Sequence, residues 1–269
     1  MARRSYWGEV AAAGKDFAAS FRQTPLWSVL AVNDVLARYR GSVLGPFWIT
    51  ISTAAFVAGI SFLYAGLMHV STAKYVPWMA TGVVVWNLIN GMINEGSDAF
   101  MAGAAIIRQT AIPLPLFIWR VVFRNLLTFA HQIVIIFGVA LWFGYLLKVN
   151  PILAALGLLL ISINVAWIAF FSAILSARFR DVQQVIATVL QLLFFVTPVI
   201  WMDNGAPTAR GALLMFNPAA HMLNVVRNPL IGQAIPLLSW LFLIGMAVVG
   251  WIFTFGVYAA VRRRIVHYL

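Results

Sequence analysis

Between Ile152 and Ala177 the chain reads ILAALGLLLISINVAWIAFFSAILSA, 26 consecutive residues without an Asp, Glu, Lys or Arg. A helix that crosses the hydrocarbon core of a bilayer needs about 20 apolar residues, so this stretch is long enough to span. Five more such stretches flank it: Pro46–Met68, Val76–Asn94 and Leu116–Leu147 before it, Val182–Met202 and Ile235–Val261 after it. The composition agrees, with 63% hydrophobic and 9% charged residues and a mean hydropathy of +0.93, where a water-soluble domain keeps roughly 25% of its residues charged. Lipid is therefore the solvent for most of the surface. Hydrocarbon cannot satisfy free backbone groups, which leaves helices or a closed barrel. A barrel shows alternating segments of about 10 residues, whereas these runs are long and continuous. The expected fold is an all-α membrane protein with six transmembrane helices.

An even number of spans puts both termini on one side. Fourteen basic residues then fall on the terminal face, among them Arg3, Arg4, Arg38, Arg40, Arg108, Arg120, Arg124, Arg178, Arg180 and Arg262 to Arg264. Four fall on the other face: Lys74, Lys148, Arg210 and Arg227. Lys and Arg accumulate in cytoplasmic loops, so both termini are expected in the cytoplasm, with the protein in the cytoplasmic (inner) membrane. Topology thus accounts for the net charge of +11 without a nucleic-acid partner. No apolar stretch of signal-peptide length follows Arg3 and Arg4, so no cleaved leader is expected. The organisation that follows is a cytoplasmic N-terminal segment (1–45), a transmembrane domain (46–261) and a basic cytoplasmic tail (262–269).

Three segments are not spans. Thr24–Arg40 opens with a helix-start pair, Thr24-Pro25. Its apolar Leu26, Trp27, Leu30 and Leu36, with Asp34 and Arg38 four apart as an ion pair, suit either a helix in the cytoplasmic membrane interface or a solvated one. In Glu95–Ile112, Phe100, Ala104 and Ile107 share a helical face with Met101 beside them. Glu95 and Asp98 lie at one end and Arg108 at the other, and Pro113 and Pro115 stop the segment. Too short to span, this helix is either a connection or a dock for a cytoplasmic partner. In Asp203–Gln233 the breakers Pro207, Gly211, Pro218 and Pro229 leave pieces of about ten residues that include Leu213 to Phe216. Two short re-entrant helices on the outer face, over about 205–232, are expected there.

Several chemistries are absent. Gly14-Lys15 is followed by Asp16 where a phosphate-binding loop needs Ser or Thr, and no His-Glu-x-x-His or Gly-x-Ser-x-Gly occurs. With no cysteine and four scattered histidines, no metal site is expected. Acidic residues are missing from mid-span, where a proton- or sodium-coupled carrier keeps them.

What the spans do carry is uncharged hydrogen-bonding capacity. Asn87, Asn90 and Asn94 recur on one helical face, and Asp181, Gln184, Thr188 and Gln191 recur on another, with Phe194, Phe195 and Trp201 beyond them. An amide in lipid is costly unless it meets a partner or water. These faces either hold helices together or line a wet path, and ring faces beside neutral hydrogen-bonding groups suit a sugar. Arg120 and Arg124 share a face at the cytoplasmic start of the third span. With Arg38 and Arg40 they either snorkel or receive an anionic headgroup.

The words Arg38-Tyr39-Arg40-Gly41-Ser42-Val43-Leu44-Gly45-Pro46-Phe47-Trp48, Gly82 with Trp86, Arg108 through Pro113, Arg180-Asp181, Thr197-Pro198-Val199, Asn217-Pro218 and Arg227 occur in that order. The chain from about residue 25 to its end resembles the permease subunits of ABC polysaccharide exporters, which move O-antigen, capsule or teichoic acid chains. The resemblance implies a homodimer of permeases with two cytoplasmic ABC ATPase subunits. This chain would hold no cofactor, and ATP and Mg would sit on the partner. It implies a lipid-diphosphate-linked glycan as cargo. The Glu95–Ile112 helix then looks like the coupling helix, with Asp98, Phe100, Met101, Ala104, Ile107 and Arg108 toward the ATPase. Teichoic acid or a small-molecule drug is the alternative cargo. A membrane-embedded lipid-modifying enzyme is the rival from another class, and the acid cluster or nucleophile–base pair it needs is not found.

Overall fold

A computed structural model describes residues 6–67, 69–202 and 209–269; the readings placed on Arg3, Arg4, Asp203 and Pro207, and on the Arg210 side chain, lie outside the described residues. Among the described residues the chain is helical, without strands. Five helices are long and apolar enough to cross a membrane: α3 (Phe47–Leu67), α4 (Thr72–Ser97), α7 (Pro115–Trp142), α8 (Pro151–Arg178) and α12 (Leu237–Tyr268). Around them lie α1 (Tyr6–Arg22), α2 (Thr24–Arg38), α5 (Ala99–Ala102), α6 (Ala104–Gln109), α9 (Val182–Val196), α10 (Ala209–Phe216) and α11 (Pro218–Leu230).

The core is built on α4, which touches α3, α7, α8, α9 and α11 and buries 16 of its 26 residues. Small residues let its neighbours approach. A Cβ on Gly96 would collide with Ala169 of α8, and one on Gly91 with the Asn125 amide of α7, the kind of close backbone approach that helices in lipid use. By contrast α3 buries five of its 21 residues, and α9 buries only Leu190. The lipid-facing helices α3, α9 and α12, the last of which buries eight of its 32 residues, surround this core with bare apolar surface.

Local chemistry sets the turns. Gly41 and Gly45 take positive φ values of 82° and 53°, which glycine adopts without a Cβ penalty, and the Gly45 N–H donates to Ser42 Oγ at 3.1 Å. Asn150 and Asn217 cap α8 and α11, accepting from the Leu153 N–H and from the Ala219 and Ala220 N–H groups. A proline occupies the first helical turn in each case.

Four expectations are revised. The fifth stretch is helical only over Val182–Val196, 15 residues, because Pro198 has no N–H to continue the ladder; 197–202 run on without helix. Glu95 does not open a separate helix, since α4 continues to Ser97 and the remainder breaks into α5 and α6 at Gly103. Residues 262–268 continue α12 rather than trailing as a tail. Their charge is used internally: Arg262 pairs with Asp16 at 2.6 Å and Arg263 with Glu9 at 2.7 Å, pinning α1 onto α12. Finally, Asp34 and Arg38 do not pair with each other; each bonds to another helix.

Candidate functional site

Three features carry chemistry. The first lies at the end of the bundle where α1, α2 and the last turns of α12 gather. Glu95, in the last turn of α4, accepts from Arg38 of α2 at 2.7 Å, from Arg124 of α7 at 2.8 Å and from the Asn125 amide at 2.8 Å. Asp34 of α2 takes Arg120 bidentately, at 2.5 and 2.8 Å, and Arg124 at 2.8 Å. One carboxylate from α2 and one from α4 therefore clamp three arginines, with Arg124 shared between them. Burial alone would raise the Asp34 carboxyl, but the hydrogen bonds and charges of Arg120 and Arg124 outweigh it and hold the group below its ordinary 3.8. A cavity of about 290 Å³ beside this cluster is lined by Arg38, Glu95, Asp98 and Ala102 as well as Arg120 and Arg124. Gln183, at the start of α9, donates to Asp98 at 2.5 Å, so the same end also grips α9.

The second feature is polar and lies within the bundle. Gln132 of α7 donates to Thr53 of α3 at 3.2 Å, and Asn87 reaches the same hydroxyl at 3.4 Å. Asn94 donates to Asn90 at 2.9 Å. Gln132 is buried and the three asparagines are half-buried, and each has a hydrogen-bond partner within the bundle. On α9 the situation differs: Gln184, Thr188, Gln191 and Phe195 are exposed, and the Thr188 hydroxyl bonds only back to the Gln184 carbonyl of its own helix.

The third feature is the break that follows α9. Four side chains from two helices grip residues 197–201. Asn217 donates to Thr197 Oγ1 at 3.0 Å, Arg227 to the Pro198 carbonyl at 2.7 Å, Tyr75 to the Ile200 carbonyl at 2.7 Å and the Trp78 indole to the Trp201 carbonyl at 3.2 Å. Arg227 is 0% exposed, and its guanidinium carbon stands 4.0 Å from the centre of the Trp78 ring. Its Nε and Nη2 have no hydrogen-bond partner. Gly82 leaves the room for it: a Cβ there would collide with Nη2 and lie 2.9 Å from the Val199 carbonyl. The charge is held by the carbonyl end of α9 and by the aromatic face.

Of the residues singled out from sequence, Arg38, Arg120 and Arg124 come together, but with carboxylates of their own chain, while Arg40 stays exposed. Phe100 and Ile107 are buried, at 0% and 5% exposure, and Phe100 packs edge-on against Phe170 of α8. They anchor α5 and α6 into the bundle and are not free to meet another subunit; Met101 and Ala104 are half-buried beside them. The accessible side of the segment carries Ala102, Ala105, Arg108 and Gln109. Phe194 turns inward against Trp86, and Trp201 is half-buried. Sequence reasoning missed Tyr75 and Trp78; it singled out Asn217 and Arg227 only as words of the resemblance, with Arg227 also counted as outer-face charge, and gave neither a role. The sequence around it, Asn224-Val225-Val226-Arg227-Asn228-Pro229, is mixed in polarity and gives no local signal that the arginine is buried.

The model of a family described as ABC-2 type transporter matches residues 25–231. Three curated proteins are similar over comparable lengths. The O-antigen export system permease protein RfbA of Klebsiella pneumoniae is 25% identical over 199 residues, covering 72% of this chain and 76% of its own length. Its namesake in Myxococcus xanthus is 22% identical over 196 residues, covering 72% and 75%. The polysialic acid transport protein KpsM of Escherichia coli is 18% identical over 202 residues, covering 74% and 78%.

Proposed function

The chain belongs to the ABC-2 type transporter family, and we propose that it is the membrane half of an ATP-driven exporter that passes a lipid-diphosphate-linked polysaccharide, O-antigen-like, across the cytoplasmic membrane. The observation that carries this reading is the bare polar face of α9. Gln184, Thr188 and Gln191 are exposed on an apolar helix, and lipid would leave the two glutamine amides unsatisfied. A second copy of the chain, brought against α3 and α9, would remove that face from lipid and enclose a path lined by neutral hydrogen-bonding groups and rings. Such a lining suits a glycan, and the relatives named for O-antigen and polysialic acid export support that cargo.

Six crossings follow when α9 and residues 197–202 are counted as one. Fifteen helical residues rise about 22 Å, and the turning segment after them needs to add only about 8 Å to match a hydrocarbon core of about 30 Å. The termini then share a side, and the basic excess puts that side in the cytoplasm. The chain carries no nucleotide-binding motif of its own, so ATP and Mg belong to a partner ATPase. That partner would sit against the accessible side of α5 and α6 and against α2. The Asp34–Glu95 cluster then carries its movement from α2 into α4 and α7.

Two results test this. Depleting the chain should leave lipid-diphosphate-linked glycan accumulating on the cytoplasmic leaflet; glycan that still reaches the outer surface would remove the cargo assignment. Ala105→Arg with Arg108→Glu should lower co-purification of the ATPase at least tenfold while Tm stays put, because these side chains face water. Undiminished association would place the motor elsewhere.

A further inference from the structure

At the opposite end from the ionic cluster, a cavity of about 350 Å³ opens between the start of α4, the turn after α7 and the end of α11. This is within the size range of small-ligand sites. Lys74, Trp78, Tyr145, Lys148 and Gln233 line it. Two of the three lysines of the chain thus converge on one cavity from segments more than 70 residues apart. Among the described residues neither has a carboxylate partner, and no carboxylate lines the cavity.

The walls are fixed. Gly232, at φ +73, lies so close to Lys148 that a Cβ would stand 2.7 Å from the lysine Cβ and 3.1 Å from its carbonyl oxygen. The Asn150 N–H donates to the Pro229 carbonyl at 2.8 Å, fastening the same turn to α11. The Tyr145 hydroxyl oxygen is buried and has no hydrogen-bond partner. Burial pushes this phenol up to about 12, so it stays protonated and is a donor. Lysines at helix ends ordinarily snorkel and need no ligand. Here, however, two lysines without a carboxylate partner and a glutamine line one cavity, and the complement of such a set is an oxyanion with several acceptor positions.

We propose that this cavity binds the phosphate of an anionic ligand, with Lys74 and Lys148 supplying charge and Gln233 a hydrogen bond. Under the orientation given above, it opens at the outer headgroup level. The phosphate comes either from an anionic phospholipid or from a free solute.

The test follows Tm of the delipidated protein in neutral detergent as phosphatidylglycerol, phosphatidylcholine or inorganic phosphate is added. Ligand that binds only the folded state raises Tm. Phosphatidylglycerol should raise Tm and phosphatidylcholine should not. The Lys74→Gln/Lys148→Gln variant should keep its additive-free Tm and need at least tenfold more phosphatidylglycerol for the same rise. Gln233→Ala should need several-fold more. A rise with inorganic phosphate assigns a free phosphate, and no rise assigns the lipid headgroup. The proposal is overturned if phosphatidylcholine works as well as phosphatidylglycerol, or if the double lysine variant titrates like the parent. Neither result bears on whether the chain exports a glycan.

Discussion

Gly82→Ala should unseat the segment after α9, costing about 3 kcal/mol, at the upper end of what overpacking a buried site costs, and lowering export at least tenfold. The added Cβ would clash with Arg227 Nη2 and stand 2.9 Å from the Val199 carbonyl oxygen; the first belongs to a guanidinium held against the Trp78 ring and the second is backbone, so neither gives way cheaply. Arg227→Met should behave oppositely. It removes a cation buried with two unsatisfied N–H groups and leaves only the Pro198 carbonyl unpaired. Replacing buried charge by an apolar side chain of similar volume is often neutral or stabilising. Tm should therefore move little, while export falls because the break is no longer held between α4 and α11. The double variant tests the coupling directly. Methionine bends away from a new methyl where a guanidinium pinned under Trp78 cannot, so the Gly82→Ala cost should shrink by at least 1 kcal/mol in the Arg227→Met background. Additive costs would mean that Gly82 is small for a reason other than Arg227.

The elements that came through from sequence are those set by local signals. The start of α3 differs from the expected Pro46 by one residue, because a glycine-rich turn precedes it and the apolar run is uninterrupted. The α9 region did not come through. Hydropathy continues across Val196 to Met202 and is blind to a proline that ends the ladder, and the turning segment after it is held by side chains that lie 20 or more residues away in sequence. The same limit explains Asp34: spacing offered Arg38 one turn away, but α7 offered two arginines that spacing cannot see. Phe100 and Ile107 show a further limit. Periodicity identified their shared face correctly, yet an apolar face is silent about whether its own bundle or another subunit covers it. Burial decides that, and it decides for the bundle.

The charged cluster gives the second large effect. Glu95→Ala should lower stability by about 3 kcal/mol, near the lower figure for breaking a buried pair, since Glu95 keeps 24% of its side chain exposed. It strips an acceptor from Arg38, Arg124 and Asn125 at once, and the tie between α4 and α2 goes with it. Arg38→Ala removes one exposed donor, with 46% of its side chain accessible, and should cost no more than about 1 kcal/mol, as exposed pairs do. If the cluster transmits the movement of a motor subunit, Glu95→Ala should also leave ATP hydrolysis running while export stops, in preparations held below the lowered Tm. Acid offers an independent check through Asp34. Its carboxyl is held below 3.8 in the fold, so its contribution is fully present above the ordinary carboxylate value and is lost only as pH falls below 3.8 through the depressed one. Between pH 7 and pH 5 the α2 clamp should therefore hold unchanged in the parent, read as constant Tm, whereas Asp34→Asn should show a lowered Tm already at pH 7. Equal Tm values for Asp34→Asn and the parent at pH 7 would show that the cluster contributes nothing to holding α2 against α7, and the transmission role would fall with it.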